Sequence, residues 1–404
     1  MIKVGINASF LRKQNTGIGQ VNINFIKKLM EFRIPARNAS HNEAGGSNFE
    51  FLNNKEVEFV LYLEEDVDLD LPDGFSKKVF LPVYKRDDLI RKIWWEMFSL
   101  PRIAKRDKCD VFLSLYQSPT VMPKKIKHII VAHDIIPKLF PEYLNNWRKK
   151  IYQWLIERAM KKANKIIAVS HRTEKDLIAH LEIDAKKITV CHVDVDEIYK
   201  KEISEKESQR VLKKYNLEAG YIYSGGGLEV RKNTENVLRA YKILFEAYGH
   251  ASWLPKVVVS GKMMPQLAPL VTDVEAVVKG LELESEVSLL DFVPQEDLPA
   301  LYKNAKVFVY PSLYEGFGLP VLEAMSQGTP VITSKTSSLP EIGSDSVVYC
   351  DPKSVDDLAM VMKNVLMSNH LLSSLSIKGK ERATHFSWDK FTEKMINIII
   401  DLKK

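Results

Sequence analysis

Short apolar runs alternate with segments of helical period along most of the chain. Lys3–Ala8, Glu58–Leu63, Val111–Leu115, His128–Ala132 and Lys165–Ser170 are rich in β-branched residues and bounded by turn formers. Each reads as a strand, and amphipathic stretches such as Val21–Phe32 lie between them. Near-continuous apolar strands separated by helices predict a parallel sheet covered on both faces. The pattern restarts at Tyr221–Ser224, with a helix at Thr234–Ala247 and strands at Lys256–Ser260, Val287–Leu290, Val307–Tyr310, Pro330–Ser334 and Val347–Tyr349. A last helical period covers Trp388–Leu402. Residues 34–56 are polar, with Gly45-Gly46, and read as a surface loop.

The expected architecture is α/β, with a first domain over 1–198, a second over 199–385 and a C-terminal helix over 386–404 packing back on the first. Each domain reads as a doubly wound, Rossmann-like sheet whose ligands bind beyond the carboxyl ends of the strands. Two such sheets facing each other across a cleft would hold a ligand between them.

Composition narrows the class. Of 404 residues, 45% are hydrophobic and 27% charged, which excludes a disordered chain. No run approaches the ~18 apolar residues of a membrane span, and the first residues read as a strand rather than a signal peptide. Cys109, Cys191 and Cys350 are too far apart to suggest a disulfide framework or a zinc site, so a reducing cytoplasm is expected. Asn38-Ala39-Ser40 fits a glycosylation sequon that a cytoplasmic chain would not use. The net charge of +6 is uneven: residues 101–170 hold 15 basic and 5 acidic residues. That face, with Trp147-Arg148-Lys149-Lys150 and Trp154, suits an anionic membrane surface, whereas a solvated helix face with both tryptophans in the core is the plainer alternative. No nucleic-acid recognition motif accompanies it, so no nucleic-acid partner is expected.

The most informative stretch is Pro311-Ser312-Leu313-Tyr314-Glu315-Gly316-Phe317-Gly318-Leu319-Pro320-Val321-Leu322-Glu323-Ala324. A strand ends at Pro311-Ser312, and two glycines then let the backbone approach a ligand closely. Pro320 suits the first turn of a helix over Val321–Gln327, which Gly328 closes. Free N–H groups from Phe317 to Val321 would form an anion site, flanked by Glu315 and Glu323. A carboxylate beside a phosphate is repelled, so the two glutamates fit neutral hydroxyls on either side of it. Hydroxyls, then diphosphate, then hydroxyls describe a nucleotide sugar.

This stretch closely resembles the donor-site signature of retaining GT-B-type glycosyltransferases of family 4. The resemblance extends over nearly the whole chain. Ser224-Gly225-Gly226-Gly227 followed by Arg231-Lys232-Asn233 looks like that family's glycine loop and basic pair. Gly226 would give close backbone approach, and Arg231 and Lys232 would neutralise a diphosphate leaving group. Thr16-Gly17-Ile18-Gly19 looks like the family's N-terminal glycine loop, with Gly17 and Gly19 over the donor phosphates. His133-Asp134, at the end of a strand, is similar to the pair that faces the transferred sugar. Backbone near Phe292-Val293-Pro294, Val293 included, takes the family's base-pocket position.

The resemblance implies a retaining transfer from a nucleotide-sugar donor to a saccharide or lipid-linked saccharide acceptor, with Glu315 on the sugar hydroxyls and Glu323 on the ribose. It implies no cofactor and no obligatory metal, and the Asp66-x-Asp68-x-Asp70 and Asp194-x-Asp196 runs read as structural. The segment Tyr223–Asn233, with Ser337-Ser338-Leu339-Pro340-Glu341, looks most like members that use GDP-mannose in bacterial polysaccharide synthesis; UDP- and dTDP-sugars remain alternatives. The expected place is the cytoplasm or the inner face of its membrane. A protein that binds nucleotide sugars without turnover, and an epimerase or phosphorylase on a related fold, are rival classes.

Overall fold

A computed structural model describes residues 2–13, 16–32, 57–80 and 88–403. The expected loop over 34–56 lies outside the described residues. The chain divides into two compact units, Met1–Val193 with Ser387–Lys404, and Asp194–Phe386. The first unit ends at 193 rather than 198 because Asp194 turns into the second, where its carboxylate pairs with Lys200. Tyr199 follows it there, its ring 6.1 Å from that of Tyr302.

The first unit is a seven-stranded parallel sheet. Its strands are β1 (Ile2–Asn7), β2 (Val57–Leu63), β3 (Phe75–Val79), β4 (Val111–Ser114), β5 (Lys127–Ala132), β6 (Lys165–Ala168) and β7 (Ile188–Val190), in the order β3-β2-β1-β4-β5-β6-β7. β1, β2 and β4 to β6 match the expected strands within a residue or two. β3 and β7 escape the pattern: β3 (FSKKV) is an edge strand with no fully buried side chain, and β7 has three residues. Helices cover the sheet, among them Gly17–Glu31, Asp88–Trp94, Trp147–Lys162 and His171–Leu181. Asn146 caps the third of these by accepting the Lys149 N–H at 2.9 Å, a bond of a type worth ~1 kcal/mol. The C-terminal helix Trp388–Lys403 packs on Gly17–Glu31 through Phe25 and Phe391, and Lys28 and Asp389 close the contact at 2.9 Å.

The second unit is a six-stranded parallel sheet of β8 (Tyr221–Ser224), β9 (Val257–Ser260), β10 (Val287–Leu290), β11 (Ala305–Tyr310), β12 (Val331–Ser334) and β13 (Val348–Cys350). The order is β10-β9-β8-β11-β12-β13. β8, β9, β11 and β12 hold few exposed positions, as a sheet buried on both faces requires. The order runs outward in opposite directions from β8 and β11, so the pair marks a topological switch point, where ligands of such sheets bind.

Candidate active site

Because β8 and β11 are neighbours, the loops that leave their carboxyl ends meet. Leu313 N–H donates to Arg231 O at 2.7 Å, and Arg231 Nη1 donates to Tyr314 O at 3.0 Å. Asn233 adopts a left-handed conformation (φ 65°) after the 3-10 turn Val230–Lys232, and its side-chain amide donates to Pro311 O at 3.0 Å and Pro352 O at 2.7 Å. The glycine loop is shaped by fit as well as by backbone freedom. Gly226 has φ +91°, and a Cβ there would sit 2.8 Å from Pro320 Cγ. Gly226 therefore lies against the start of the helix that carries Glu323.

The basic pair and Glu315 converge on one point. Glu315 Oε1 lies 2.8 Å from Lys232 Nζ and 2.9 Å from Arg231 Nη1, and it accepts from Tyr310 Oη and Ser312 Oγ, each at 2.7 Å. Lys232 Nζ also donates to Tyr310 Oη at 2.5 Å. Lys232, Glu315, Tyr310 and Ser312 are all buried. Burial alone would raise the Glu315 carboxyl, but the cations of Lys232 and Arg231 outweigh it and hold the group down at about 2. Glu315 Oε2 has no donor among the described residues. One oxygen of Glu315 thus anchors both cations, a role the sequence reading did not give it.

The helix after this loop is Leu319–Ser326, two residues ahead of the expected start, because Pro320 joins its first turn. Gly318 caps it at φ +118°, and a Cβ there would meet Leu339 at 2.9 Å. The anion site is narrower than the sequence suggests. Pro320 has no N–H, and Val321 N–H turns back to Gly318 O at 3.1 Å. The amides of Gly318 and Leu319 have no partner among the described residues. Phe317 is an anchor: its ring packs edge-on against Phe386 at 5.7 Å, and its carbonyl accepts from Ser338 Oγ at 2.6 Å. Glu323 lies one turn into the helix, and its Oε2 accepts from Tyr302 Oη at 2.9 Å. Burial pushes this carboxyl up to about 7, against the opposing pull of the Tyr302 hydroxyl and the Lys232 charge. The two glutamates of the motif thus differ in kind: Glu315 is locked as an anion, whereas Glu323 titrates near neutrality.

Val293 is buried in the loop after β10, beside the exposed Phe292. His133, Gly17 and Gly19 belong to the first unit. Gly17 and Gly19 lie inside the first turn of a helix rather than in a turn before it, because Thr16 Oγ1 caps that helix through Gly19 N–H at 3.1 Å. Gly19 is required by packing, since a Cβ would lie 2.0 Å from Lys13 O, whereas Gly17 faces open space. His133 follows β5, and its Nε2 lies 2.8 Å from Leu115 O, which fixes Nε2 as the protonated nitrogen. Burial pushes its imidazole down to about 4, so it is neutral at physiological pH and presents Nδ1 as an acceptor.

Tyr310, Ser312 and Tyr302 also build the site, and sequence reading did not single them out as site residues; Ser337, noted only within a segment that resembles GDP-mannose users, joins them. Ser337 Oγ accepts the Glu315 N–H at 3.1 Å and fixes the loop. Tyr310 and Ser312 lie at the carboxyl end of β11, and that position was the available signal. The acidic runs are held internally: Asp194 by Lys200, Asp196 as a cap on Ile198 N–H at 3.0 Å, and Asp66 by Lys77 at 2.8 Å.

Residues 204–382 match the family described as glycosyl transferases group 1, and residues 53–197 match glycosyltransferase family 4. The "O-antigen chain mannosyltransferase B" of Escherichia coli is 31% identical over 306 residues, covering 73% of this chain and 75% of that protein. The chain belongs to the group 1 glycosyltransferases. The "Serotype-specific mannosyltransferase WbdA" of Escherichia coli is 32% identical over 268 residues, 65% of this chain, but the chain spans only 32% of that longer relative. The crystal structure of WaaG, a glycosyltransferase involved in lipopolysaccharide biosynthesis, matches 99% of both chains with a TM-score of 0.71 at 17% identity. The fold is therefore GT-B, a pair of Rossmann-like domains, and the chain is a glycosyltransferase.

Proposed function

We propose that this glycosyltransferase moves a hexose, mannose from GDP-mannose as the first choice, onto a hydroxyl of a saccharide or lipid-linked saccharide in cell-surface polysaccharide synthesis. The observation that carries the reading is the meeting of Lys232, Arg231 and Glu315 at the switch point, on the loop that runs into the helix N-terminus at Gly318 and Leu319. Two cations meeting on the loop that leads into a helix N-terminus suit a diphosphate, whose charge grows as the glycosidic bond breaks. They also supply that stabilisation without a metal. The mannosyltransferase relatives support the choice of sugar.

In the proposed reaction the bond from the anomeric carbon to the diphosphate oxygen breaks, and a new bond to the acceptor oxygen forms on the same face. The acceptor proton passes to the departing phosphate, and configuration is retained because the new bond forms on the face that the old one leaves. Lys232, Arg231 and the amides of Gly318 and Leu319 hold the leaving group. Glu315 Oε2 accepts from hydroxyls of the transferred sugar, and Glu323 accepts from the ribose. His133 offers Nδ1 to a sugar or acceptor hydroxyl. Gly17 and Gly226 let the backbone approach the phosphates. We place the reaction on the cytoplasmic side of the membrane, where nucleotide sugars are made.

The test is nucleotide release from GDP-, UDP-, ADP- and dTDP-sugars in the presence of mannoside acceptors, with the product anomer read by NMR. Release from GDP-mannose with an α-linked product supports the proposal. A UDP- or dTDP-sugar as the productive donor would replace the first choice, and binding without turnover of any donor would favour a catalytically silent protein.

A further inference from the structure

We propose that the first unit seats on an anionic lipid bilayer through two aromatic stripes, on the helices Asp88–Trp94 and Trp147–Lys162 and the π-helical turn Trp95–Ser99. The proposal deepens the reading of a lipid-linked acceptor and names the surface involved. Ile90, Trp94 and Phe98 recur every fourth residue, and all three are at least 40% exposed. On the second helix Trp147, Ile151 and Trp154 share one face at 67%, 47% and 59% exposure. Neither tryptophan of this helix is in the core, which removes the plainer alternative for them. Large apolar side chains at such exposure, grouped rather than scattered, mark an interaction surface.

The two stripes are held together from beneath. Glu96, buried on the π-helical turn, accepts from Tyr152 Oη of the second helix at 2.7 Å and from Tyr116 Oη at 2.6 Å. Lys92 Nζ lies 5.2 Å from the Tyr152 ring centre. The outward residues are therefore presented on a fixed base.

Charge identifies the occupant. The Trp147–Lys162 helix carries six basic residues and one acidic residue, Glu157, which faces Lys138 at 3.6 Å. Exposed guanidinium groups lie against the exposed rings: Arg148 by Trp147 at 5.7 Å, Arg158 by Trp154 at 6.0 Å and Arg102 by Phe98 at 5.8 Å. Tryptophan prefers the headgroup level of a bilayer, and adjacent cations are drawn to anionic lipid. No helix among the described residues is long and apolar enough to cross a membrane, so contact would be from one side.

The test is cosedimentation of the full chain with phosphatidylglycerol-containing vesicles and with pure phosphatidylcholine vesicles. Wild type should partition onto the anionic vesicles, and its tryptophan emission should shift to the blue. W94A/W147A/W154A and R148E/R158E should each weaken partition by about tenfold or more. Melting temperature and nucleotide release with a soluble acceptor should stay at wild-type levels, so failure of this inference is separable from failure of the glycosyl-transfer reading. Equal partition onto both vesicle types, or undiminished partition of W94A/W147A/W154A, would overturn it. So would a wild-type dimer that ignores vesicles and becomes monomeric in that variant, which would assign the stripes to a second copy of the chain.

Discussion

Lys232 Nζ lies 2.8 Å from Glu315 Oε1, and the two residues come from loops that leave neighbouring strands of one sheet. The pair joins the glycine loop to the glutamate loop at the place where strand order reverses. Arg231, Tyr310 and Ser312 crowd the same oxygen, so the cations are fixed before any ligand arrives. Such preorganisation is what electrostatic stabilisation of a leaving group requires.

Loss of Lys232 should therefore cost more in rate than in folding. Lys232→Ala is expected to lower turnover by about 10²–10³, as loss of one stabilising donor does. Its folding penalty should lie at or below the ~3–5 kcal/mol of a broken buried pair, because Arg231 still faces Glu315. Steady-state kinetics and denaturant unfolding measure the two effects. A wild-type rate in Lys232→Ala would refute the role.

The two glutamates should give pH dependences of opposite sign. Glu315 is held below its ordinary value of 4.5, at about 2, so its contribution is present above pH 4.5 and is lost as pH falls toward 2. Glu323 is raised from 4.5 to about 7, so its contribution is full below 4.5 and disappears as pH rises through 7. Each amounts to roughly 3 kcal/mol at most. Glu323→Gln should gain stability on wild type between pH 5 and 8, and Glu315→Gln should flatten the acid limb. Differences from wild type that stay constant with pH in both variants would contradict the assignments.

The two glycine loops offer paired controls. Gly226→Ala meets Pro320 and a positive φ, whereas Gly227→Ala meets only the φ of +105°. The first should lose more stability in thermal unfolding and should also weaken nucleotide binding. Equal losses would remove the packing argument.

In the first unit, Gly19→Ala should be strongly destabilising because of Lys13 O. Gly17→Ala should hold or gain stability, by up to about 1 kcal/mol from helix propensity. If Gly17 serves donor approach, the same variant should bind GDP more weakly, which calorimetry would show. Unchanged affinity would reduce Gly17 to a helix position.

Much of this is legible in the amino-acid sequence alone. The apolar runs of β1, β8, β9 and β11 and the Glu315–Glu323 frame carry strong local signals, since burial on both faces and a proline-started helix leave direct marks. The β3 edge strand left none, because a half-buried strand reads like a polar loop. The ion pair was hidden for another reason. Lys232 and Glu315 are 83 residues apart, and only the adjacency of β8 and β11 brings them together. Without it, the glutamate looked free for sugar hydroxyls and the lysine free for phosphate. Tyr310 and Ser312 were missed because a hydroxyl at a strand end acquires meaning only from what it faces.

The central claim is that a diphosphate binds at the switch point of the second unit, and a crystal structure with GDP-mannose or GDP bound tests it most directly. The account predicts phosphate oxygens within hydrogen-bond reach of Lys232 or Arg231 and of the Gly318 and Leu319 amides, with Glu323 on the ribose. A diphosphate bound elsewhere, touching neither those amides nor the basic pair, would contradict it.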